Sequence, residues 1–199
     1  DYDEAGLNDQ IGGPLDMENY TILKRIGSGA YGEVSLVKEN KTNKLYSVQV
    51  LNYTGDQIII NSFIKEIKIM LKLKHPAIIK YIGYSLKNKA GDINPTIVME
   101  YAPNDSIETF LNLERAGHAS DKWDSTTKAI SMYGIASAMK HIHSRGVLHR
   151  NLKPSCVLLD AHLFPKVGDF AIAVDLSDSA EDAGTAGTPL FMPPEVIEG

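Results

Sequence analysis

The residues best suited to chemistry lie between His149 and Asp160, in the stretch H-R-N-L-K-P-S-C-V-L-L-D, and at Asp169. Asn151 carries a neutral amide, which cannot act as a general base at any accessible pH. Cys156 offers a soft sulfur atom, whereas a hard cation such as Mg²⁺ prefers oxygen ligands. Asp169 supplies a carboxylate that could ligate such a cation. These residues therefore offer one carboxylate that could bind a cation, at Asp169, together with an amide and a thiol that are poorly suited to acid–base or metal chemistry.

A second candidate site is the glycine-rich run G-S-G-A-Y-G-E-V, residues 27–34, which follows a predicted strand over Tyr20–Ile26. Glycines at this spacing let the backbone approach phosphates closely. The same pattern opens dinucleotide-binding domains, but those need a helix directly after the glycines. Here Val34, Leu36 and Val37 continue as a strand. A nucleotide-binding hairpin is one interpretation, and a plain glycine-rich hairpin is the alternative for the run taken alone.

Hydrophobic spacing predicts the elements that must hold these residues in place. A helix is predicted over Asp56–Lys74, because its apolar residues recur every three or four positions up to His75-Pro76. Alternating or apolar runs predict three further strands, at Leu45–Leu51, Ile78–Ser85 and Thr96–Tyr101. Two later helices are predicted at Asp105–Leu113 and Ser125–Ser144, the second with an apolar face that includes Ile130, Tyr133, Ile135, Ala138, Met139 and Ile142.

Composition limits the classes of protein. The 199 residues suit one domain or two small lobes, and 43% apolar residues suffice for a core. A net charge of −5 argues against nucleic acid as a partner. No apolar run reaches the length of a membrane span, and the acidic start at residues 1–18 resembles a flexible lead-in, not a signal peptide. One cysteine fits a reducing compartment, so we expect a cytoplasmic protein without a membrane partner.

Seven motifs in order resemble the eukaryotic protein kinase domain over about residues 20–199. They are the glycine run 27–34, Tyr46–Leu51 for V-A-I-K, the helix glutamate Glu66, the hinge Met99–Pro103, the catalytic loop 149–156, Asp169–Ala171 for D-F-G and Met192–Glu195 for A-P-E. The resemblance implies an α+β bilobal fold, with a five-stranded antiparallel N-lobe sheet, one helix and a mainly helical C-lobe. The implied division is a tail 1–18, an N-lobe with hinge 19–102 and a partial C-lobe 103–199.

The resemblance also implies roles for individual residues. The catalytic loop contributes Asn151, at the position of the base, and Lys153, which contacts phosphate in serine/threonine kinases. Asp169 is the metal ligand, with Cys156 at the second ligand position. The implied nucleotide-binding residues are Ile26, Gly27, Ser28, Gly29, Ala30, Tyr31, Gly32, Val34, Gln49, Glu66, Met99, Glu100, Ala102 and Leu158.

Three of these positions depart from the family pattern. Asn151 replaces the aspartate base, Cys156 replaces a metal-binding asparagine, and Gln49 replaces the lysine that anchors phosphates and pairs with a helix glutamate such as Glu66. Ala171 also replaces the glycine of D-F-G. We expect a pseudokinase that binds ATP weakly, leaves the role of Mg²⁺ open and acts through protein contacts. The alternatives are a serine/threonine kinase with residual activity and an inactive fragment of a kinase.

The sequence stops four residues after Glu195, whereas a complete kinase C-lobe continues through further helices. This predicts an incomplete C-lobe in which the helix Ser125–Ser144 loses part of its cover, so that the isolated chain is poorly stable or associates with itself. The activation segment, residues 175–187, is predicted to be the most mobile part. Ser177, Ser179 and Thr185 are candidate phosphorylation sites within it.

Overall fold

The computed structural model describes residues 11, 13–29, 32–53, 55–88, 92–178 and 186–198. These residues form two compact units. The sheet unit contains the chain up to residue 71 together with residues 80–101, and the helical unit contains residues 72–79 and the chain from residue 102 onwards. Ala30, Tyr31, Ser179 and Thr185 lie outside the described residues, as does most of the predicted lead-in.

The sheet unit is built on five antiparallel strands, as predicted. The strands are β1 Tyr20–Gly29, β2 Gly32–Glu39, β3 Leu45–Leu51, β4 Tyr81–Lys87 and β5 Ile93–Glu100, and they lie in the order β1-β2-β3-β5-β4. β3 has the predicted bounds, and it lies in the centre of the sheet between β2 and β5. Gln49 therefore has a paired strand on each side, with Val34 of β2 and Ile97 of β5 opposite it.

One helix of this unit, α1 Gln57–Lys72, buries the apolar residues whose spacing predicted it. Phe63 and Ile67 are fully buried, and the Phe63 ring meets the Tyr84 ring edge-on at 6.0 Å. Glu66 lies on the same buried side and is only 5% exposed. A carboxylate is rarely buried unless it has partners, so Glu66 differs from an ordinary solvated helix glutamate.

Part of the predicted lead-in packs on the sheet. The backbone N–H of Leu15 donates to the Tyr84 carbonyl at 2.6 Å, and a methyl group added at Gly83 would lie 2.6 Å from Leu15 Cδ1. Leu15 and Met17 cover a buried cluster formed by Tyr20, Val37, Val48 and Val98. Residues 15–17 therefore help to complete the core of the sheet unit, and the boundary at residue 18 stays a prediction.

Among its described residues, the helical unit contains three α-helices: α2 Ile107–Arg115, α3 Ser125–Ser144 and α4 Pro194–Glu198. Ser106 and Asp124 cap α2 and α3 by accepting the N–H groups of Thr109 and Thr127. Two small antiparallel pairs join β6 Val147–Leu148 to β9 Val174–Asp175 and β7 Val157–Leu159 to β8 Pro165–Val167. No helix within the described ranges is long and apolar enough to span a bilayer.

The bounds of α3 match the prediction, but the predicted apolar face is wrong in part. The buried side consists of Ser131, Ala138 and Ile142, whereas Ile130 is 39% exposed and Tyr133 is 78% exposed. The reason is a close approach at Gly134, where an added methyl group would lie 2.4 Å from Cγ of Pro165 in β8. Small residues let the helix lie against β8, and this contact decides which side of the helix is buried.

Candidate active site

The loop that carries the site is anchored by His149. This side chain is 2% exposed; its Nδ1 accepts the N–H of Asn151 at 3.2 Å, and its Nε2 lies 2.9 Å from the Gly168 carbonyl. A backbone N–H can only donate and a carbonyl can only accept, so the proton of the neutral ring sits on Nε2. Burial lowers the pKa of His149, which favours this neutral form. The ring also packs on Phe170, with centroids 5.0 Å apart.

Acid is therefore expected to destabilise the fold through His149. Because burial lowers the pKa of His149 in the folded chain, below about pH 6.5 the unfolded chain takes up the proton first. The free energy of unfolding should fall from that pH towards the folded pKa, by at most about 1.4 kcal/mol per pH unit. Burial also lowers the pKa of His141, so its contribution has the same sign.

The measurement is urea unfolding at pH 7.5, 6.5 and 5.5. His149→Gln, which cannot titrate, should lose part of the pH slope. His162→Gln at an exposed position serves as the matched control and should keep the wild-type slope. Equal slopes for the wild type and His149→Gln would show that another group carries the acid sensitivity.

Asn151 is hydrogen-bonded at both ends of its amide. Its Nδ2 donates to Asp169 Oδ2 at 2.8 Å, and its Oδ1 accepts the hydroxyl of Thr188 at 2.9 Å. The ammonium group of Lys153 donates to the same Thr188 hydroxyl at 2.8 Å. A chain of hydrogen bonds thus runs from Lys153 through Thr188 and Asn151 to Asp169. Asn151 lies where a base is expected, but here it acts as a neutral link in this chain.

Cys156 is also directed at Asp169. The thiol is 4% exposed, and its sulfur lies 3.3 Å from Asp169 Oδ2 and 3.1 Å from the Asn151 carbonyl. Burial and the neighbouring Asp169 carboxylate raise the pKa of Cys156 to about 12. The side chain is therefore a protonated hydrogen-bond donor and not the thiolate that binds metals.

Cys156 should consequently resist alkylation. At pH 8, a thiol with a pKa near 12 has about a thousandfold less thiolate than an ordinary cysteine, so iodoacetamide should react at least that much more slowly. Unfolding in guanidinium should restore normal reactivity. A Cys156→Ser, Ser177→Cys variant carries its only thiol at an exposed position and supplies the fast control. Rapid labelling of native Cys156 would contradict the buried, protonated thiol.

Asp169 presents its carboxylate to solvent, while the next residue, Phe170, is 1% exposed. The sharp change of direction is made by a left-handed backbone at Asp169, with φ of 63°. Ala171 is not among the described residues with positive φ, so the missing glycine of D-F-G causes no backbone strain there. That Asp169 stays usable as a metal ligand after this replacement remains a prediction.

The donor set does not fit Mg²⁺. One oxygen of Asp169 already accepts the Asn151 Nδ2–H group, and the Cys156 sulfur lies 3.3 Å from the same oxygen. Mg²⁺ would need further oxygen ligands at these two positions. Among the described residues, no group of three or more His, Cys, Asp or Glu side chains could hold a metal ion. The kinase resemblance implies that Asp169 is a metal ligand. Its immediate neighbours in this chain, however, are hydrogen-bond donors and not further metal ligands.

The glycine run lies in the sheet unit, at the ends of β1 and β2. Gly32 has φ of 149°, and a Cβ there would lie 1.9 Å from the Val50 carbonyl oxygen, so the fold itself requires this glycine. Gly27 is different, because a Cβ there would be 3.7 Å from Val34 Cβ, an ordinary contact. Packing does not explain Gly27, which is consistent with a backbone that a ligand approaches closely.

The other predicted nucleotide-binding residues divide between the units. Gln49, Glu66, Met99 and Glu100 belong to the sheet unit, together with Ile26, Ser28, Gly29 and Val34, and Ala102 and Leu158 belong to the helical unit. Sequence reasoning missed two polar contacts. These are the link between Thr188 and Asn151 and a hydrogen bond from Ser47 to the backbone of Glu100. The Gly187-Thr188 pair ahead of the predicted segment end was the available signal for the first.

Comparisons with known proteins identify the family of the chain. The family model described as protein kinase domain matches residues 20–199. An Aurora kinase from Patiria pectinifera is 30% identical over 185 residues, which cover 92% of this chain and 43% of that protein. The serine/threonine-protein kinase Nek8 from Danio rerio is 32% identical over 187 residues, which cover 92% of this chain and 25% of that protein. The serine/threonine-protein kinase AtPK2/AtPK19 from Arabidopsis thaliana is 26% identical over 203 residues, covering 41% of its length.

The chain thus spans between a quarter and about two fifths of the length of these relatives. The match nevertheless includes both units and every motif described above, from the glycine run to the end of the activation segment. The chain belongs to the protein kinase domain family.

Proposed function

We propose that this chain is a pseudokinase: a kinase-fold module that binds ATP weakly and acts through contacts with other proteins, without transferring phosphate. The observation that carries the proposal is the closed arrangement around Asp169, in which the Asn151 amide donates to one carboxylate oxygen and the Cys156 sulfur lies 3.3 Å from the same oxygen. A catalytic kinase site would have a base and metal-binding oxygens at these two positions.

The missing groups affect every part of phosphoryl transfer. The reaction depends on positioning and on positive charge around the phosphates. Asn151 cannot take the proton of a substrate hydroxyl, and a general base typically contributes 10²–10⁴-fold in rate. Gln49 has no charge, and a neutral hydrogen bond has roughly half the strength of a charge-assisted one. Because the losses fall on base, phosphate anchor and metal ligand together, we expect no useful residual rate.

ATP binding would depend mainly on backbone groups of the glycine run and the hinge. The family uses ATP and Mg²⁺, and when bound ATP supplies the phosphoryl group. In this chain the glycine run and the hinge residues Met99, Glu100 and Ala102 would hold the nucleotide, without a lysine at position 49. We place the dissociation constant at about 10 μM to 1 mM. The protein is expected to work in the cytoplasm, with protein partners and without nucleic acid or membrane.

Millimolar ATP is therefore expected to raise the melting temperature. At fifty times the dissociation constant the stabilisation is about 2 kcal/mol. Because the fold has ordinary space for a Cβ at Gly27, Gly27→Ala should keep its own melting temperature while losing most of the ATP shift. Thermal unfolding with and without Mg²⁺ provides the measurement. No shift at several millimolar ATP in either condition would refute nucleotide binding.

The second candidate is a serine/threonine kinase with residual activity. The ordered chain from Lys153 through Thr188 to Asn151 favours it, because the loop is held in one conformation without the aspartate. A peptide-phosphorylation assay separates the two functions, since a pseudokinase gives no ATP-dependent product. A decayed, inactive fragment would show neither ATP binding nor cooperative unfolding.

A further inference from the structure

In the sheet unit, the hydroxyl group of Ser47 is hydrogen-bonded to the backbone of the predicted hinge. Ser47 lies in β3 opposite Met99 of β5, and its side chain is half-buried. Its Oγ lies 3.0 Å from the backbone oxygen of Glu100. A carbonyl can only accept, so the hydroxyl must donate its proton to this oxygen.

Glu100 cannot easily turn away from this contact. Its backbone N–H donates to the Lys80 carbonyl at 2.9 Å, and its side-chain Oε1 accepts the Lys80 N–H at 2.7 Å. The residue is therefore attached to Lys80 at two points and to Ser47 at a third. A ligand that needs the Glu100 oxygen meets a fixed carbonyl that already accepts one donor.

We propose that Ser47 is a specificity-determining residue of the nucleotide site, and that its hydroxyl competes with the exocyclic amine of adenine for the Glu100 oxygen. This inference rests on the proposed ATP binding. A carbonyl oxygen has two lone pairs, but a second donor must share it at a crowded angle and forms a weaker bond. The competition lowers the affinity for bases with a 6-amino group and leaves bases without that group unaffected.

The test compares two nucleotides on three proteins by isothermal titration without Mg²⁺. The ligands are ATP and purine riboside 5′-triphosphate, which differ only by the 6-amino group. The proteins are the wild type, Ser47→Ala, and the matched control Ser85→Ala. Ser85 is a buried serine of the same sheet whose hydroxyl donates instead to the Lys87 carbonyl at 2.9 Å.

Ser47→Ala is expected to bind ATP about three- to tenfold more tightly than the wild type, the range for one neutral hydrogen bond. The affinity for purine riboside triphosphate should not change, nor should either affinity in Ser85→Ala.

The outcomes separate the two claims. Unchanged ATP affinity in Ser47→Ala, with binding to the wild type intact, would overturn the role of Ser47 alone. An equal gain for both nucleotides would also overturn it, because Ser47 would then act through its bulk. Binding of ATP to Ser47→Ala but not to the wild type would support the role of Ser47 and overturn ATP binding by the natural chain. Absence of binding to all three proteins would overturn both.

Discussion

A chain that carries Gln49→Lys, Asn151→Asp and Cys156→Asn together is expected to transfer phosphate from ATP, whereas each single reversion is expected to leave it inactive. The triple variant restores the phosphate anchor, the base and the second metal ligand at once. The base alone typically contributes 10²–10⁴-fold, and residues that act as a unit are strongly non-additive. In this fold Asn151 and Cys156 contact the same oxygen of Asp169, so a single reversion still leaves the base or the second metal ligand missing beside it.

The measurement is transfer of labelled phosphate from ATP to a generic peptide substrate. The matched control adds Asp169→Ala to the triple variant, which should abolish the gained activity because the metal ligand is lost. Activity from Asn151→Asp alone would contradict this account, since it would show that the natural nucleotide and metal sites were already competent.

The single variant Asn151→Asp is expected to lose stability and to recover it with divalent cations. The Asn151 amide nitrogen lies 2.8 Å from Asp169 Oδ2, so the substitution replaces a hydrogen bond by two carboxylates in contact. Repulsion and the lost bond should reduce the free energy of unfolding by about 2 kcal/mol, which corresponds to roughly 5 °C in melting temperature. Mg²⁺ can bridge two carboxylates, so several millimolar Mg²⁺ should restore most of the loss.

Asn151→Ala provides the control for this experiment. It loses the same hydrogen bond without adding a charge, so Mg²⁺ should not change its melting temperature. An equal Mg²⁺ response in the two variants would mean that the ion binds elsewhere. An unchanged melting temperature for Asn151→Asp would mean that the carboxylates separate, and the closed arrangement around Asp169 would then be weaker than the structure indicates.

Most of the fold could be predicted from local sequence patterns, because the residues that specify a strand or a helix lie within that strand or helix. β3 and α3 have the predicted bounds, and α3 begins at the Asp124 cap and ends before Gly146. The buried side of α3 was predicted only in part: Ala138 and Ile142 belong to the predicted face, whereas the contact between Gly134 and Pro165, far apart in the chain, has no local signal. The packing of Leu15 on Gly83 was missed for the same reason.

The same holds for the candidate site, where the sequence predicted the residues but not the contacts between them. Motif positions identified Asn151, Cys156 and Asp169, and the side-chain types indicated lost chemistry. The hydrogen bonds around them depend on the left-handed backbone at Asp169 and on Thr188, which directly follows the predicted activation segment and donates to Asn151. The left-handed backbone has no local sequence signal, because Asp169 is not a glycine. The Gly187-Thr188 pair marks the position of Thr188 but does not indicate that Asn151 is its partner.

The measurement that tests the central claim most directly is phosphate release and peptide phosphorylation by the natural chain, beside an Asp169→Ala variant, with labelled ATP and Mg²⁺. We expect both proteins to give the same background, because Asn151 cannot accept a proton and Asp169 is engaged by Asn151 and Cys156. Transfer by the natural chain that disappears in Asp169→Ala would contradict the account and would establish a catalytic kinase with an unconventional site.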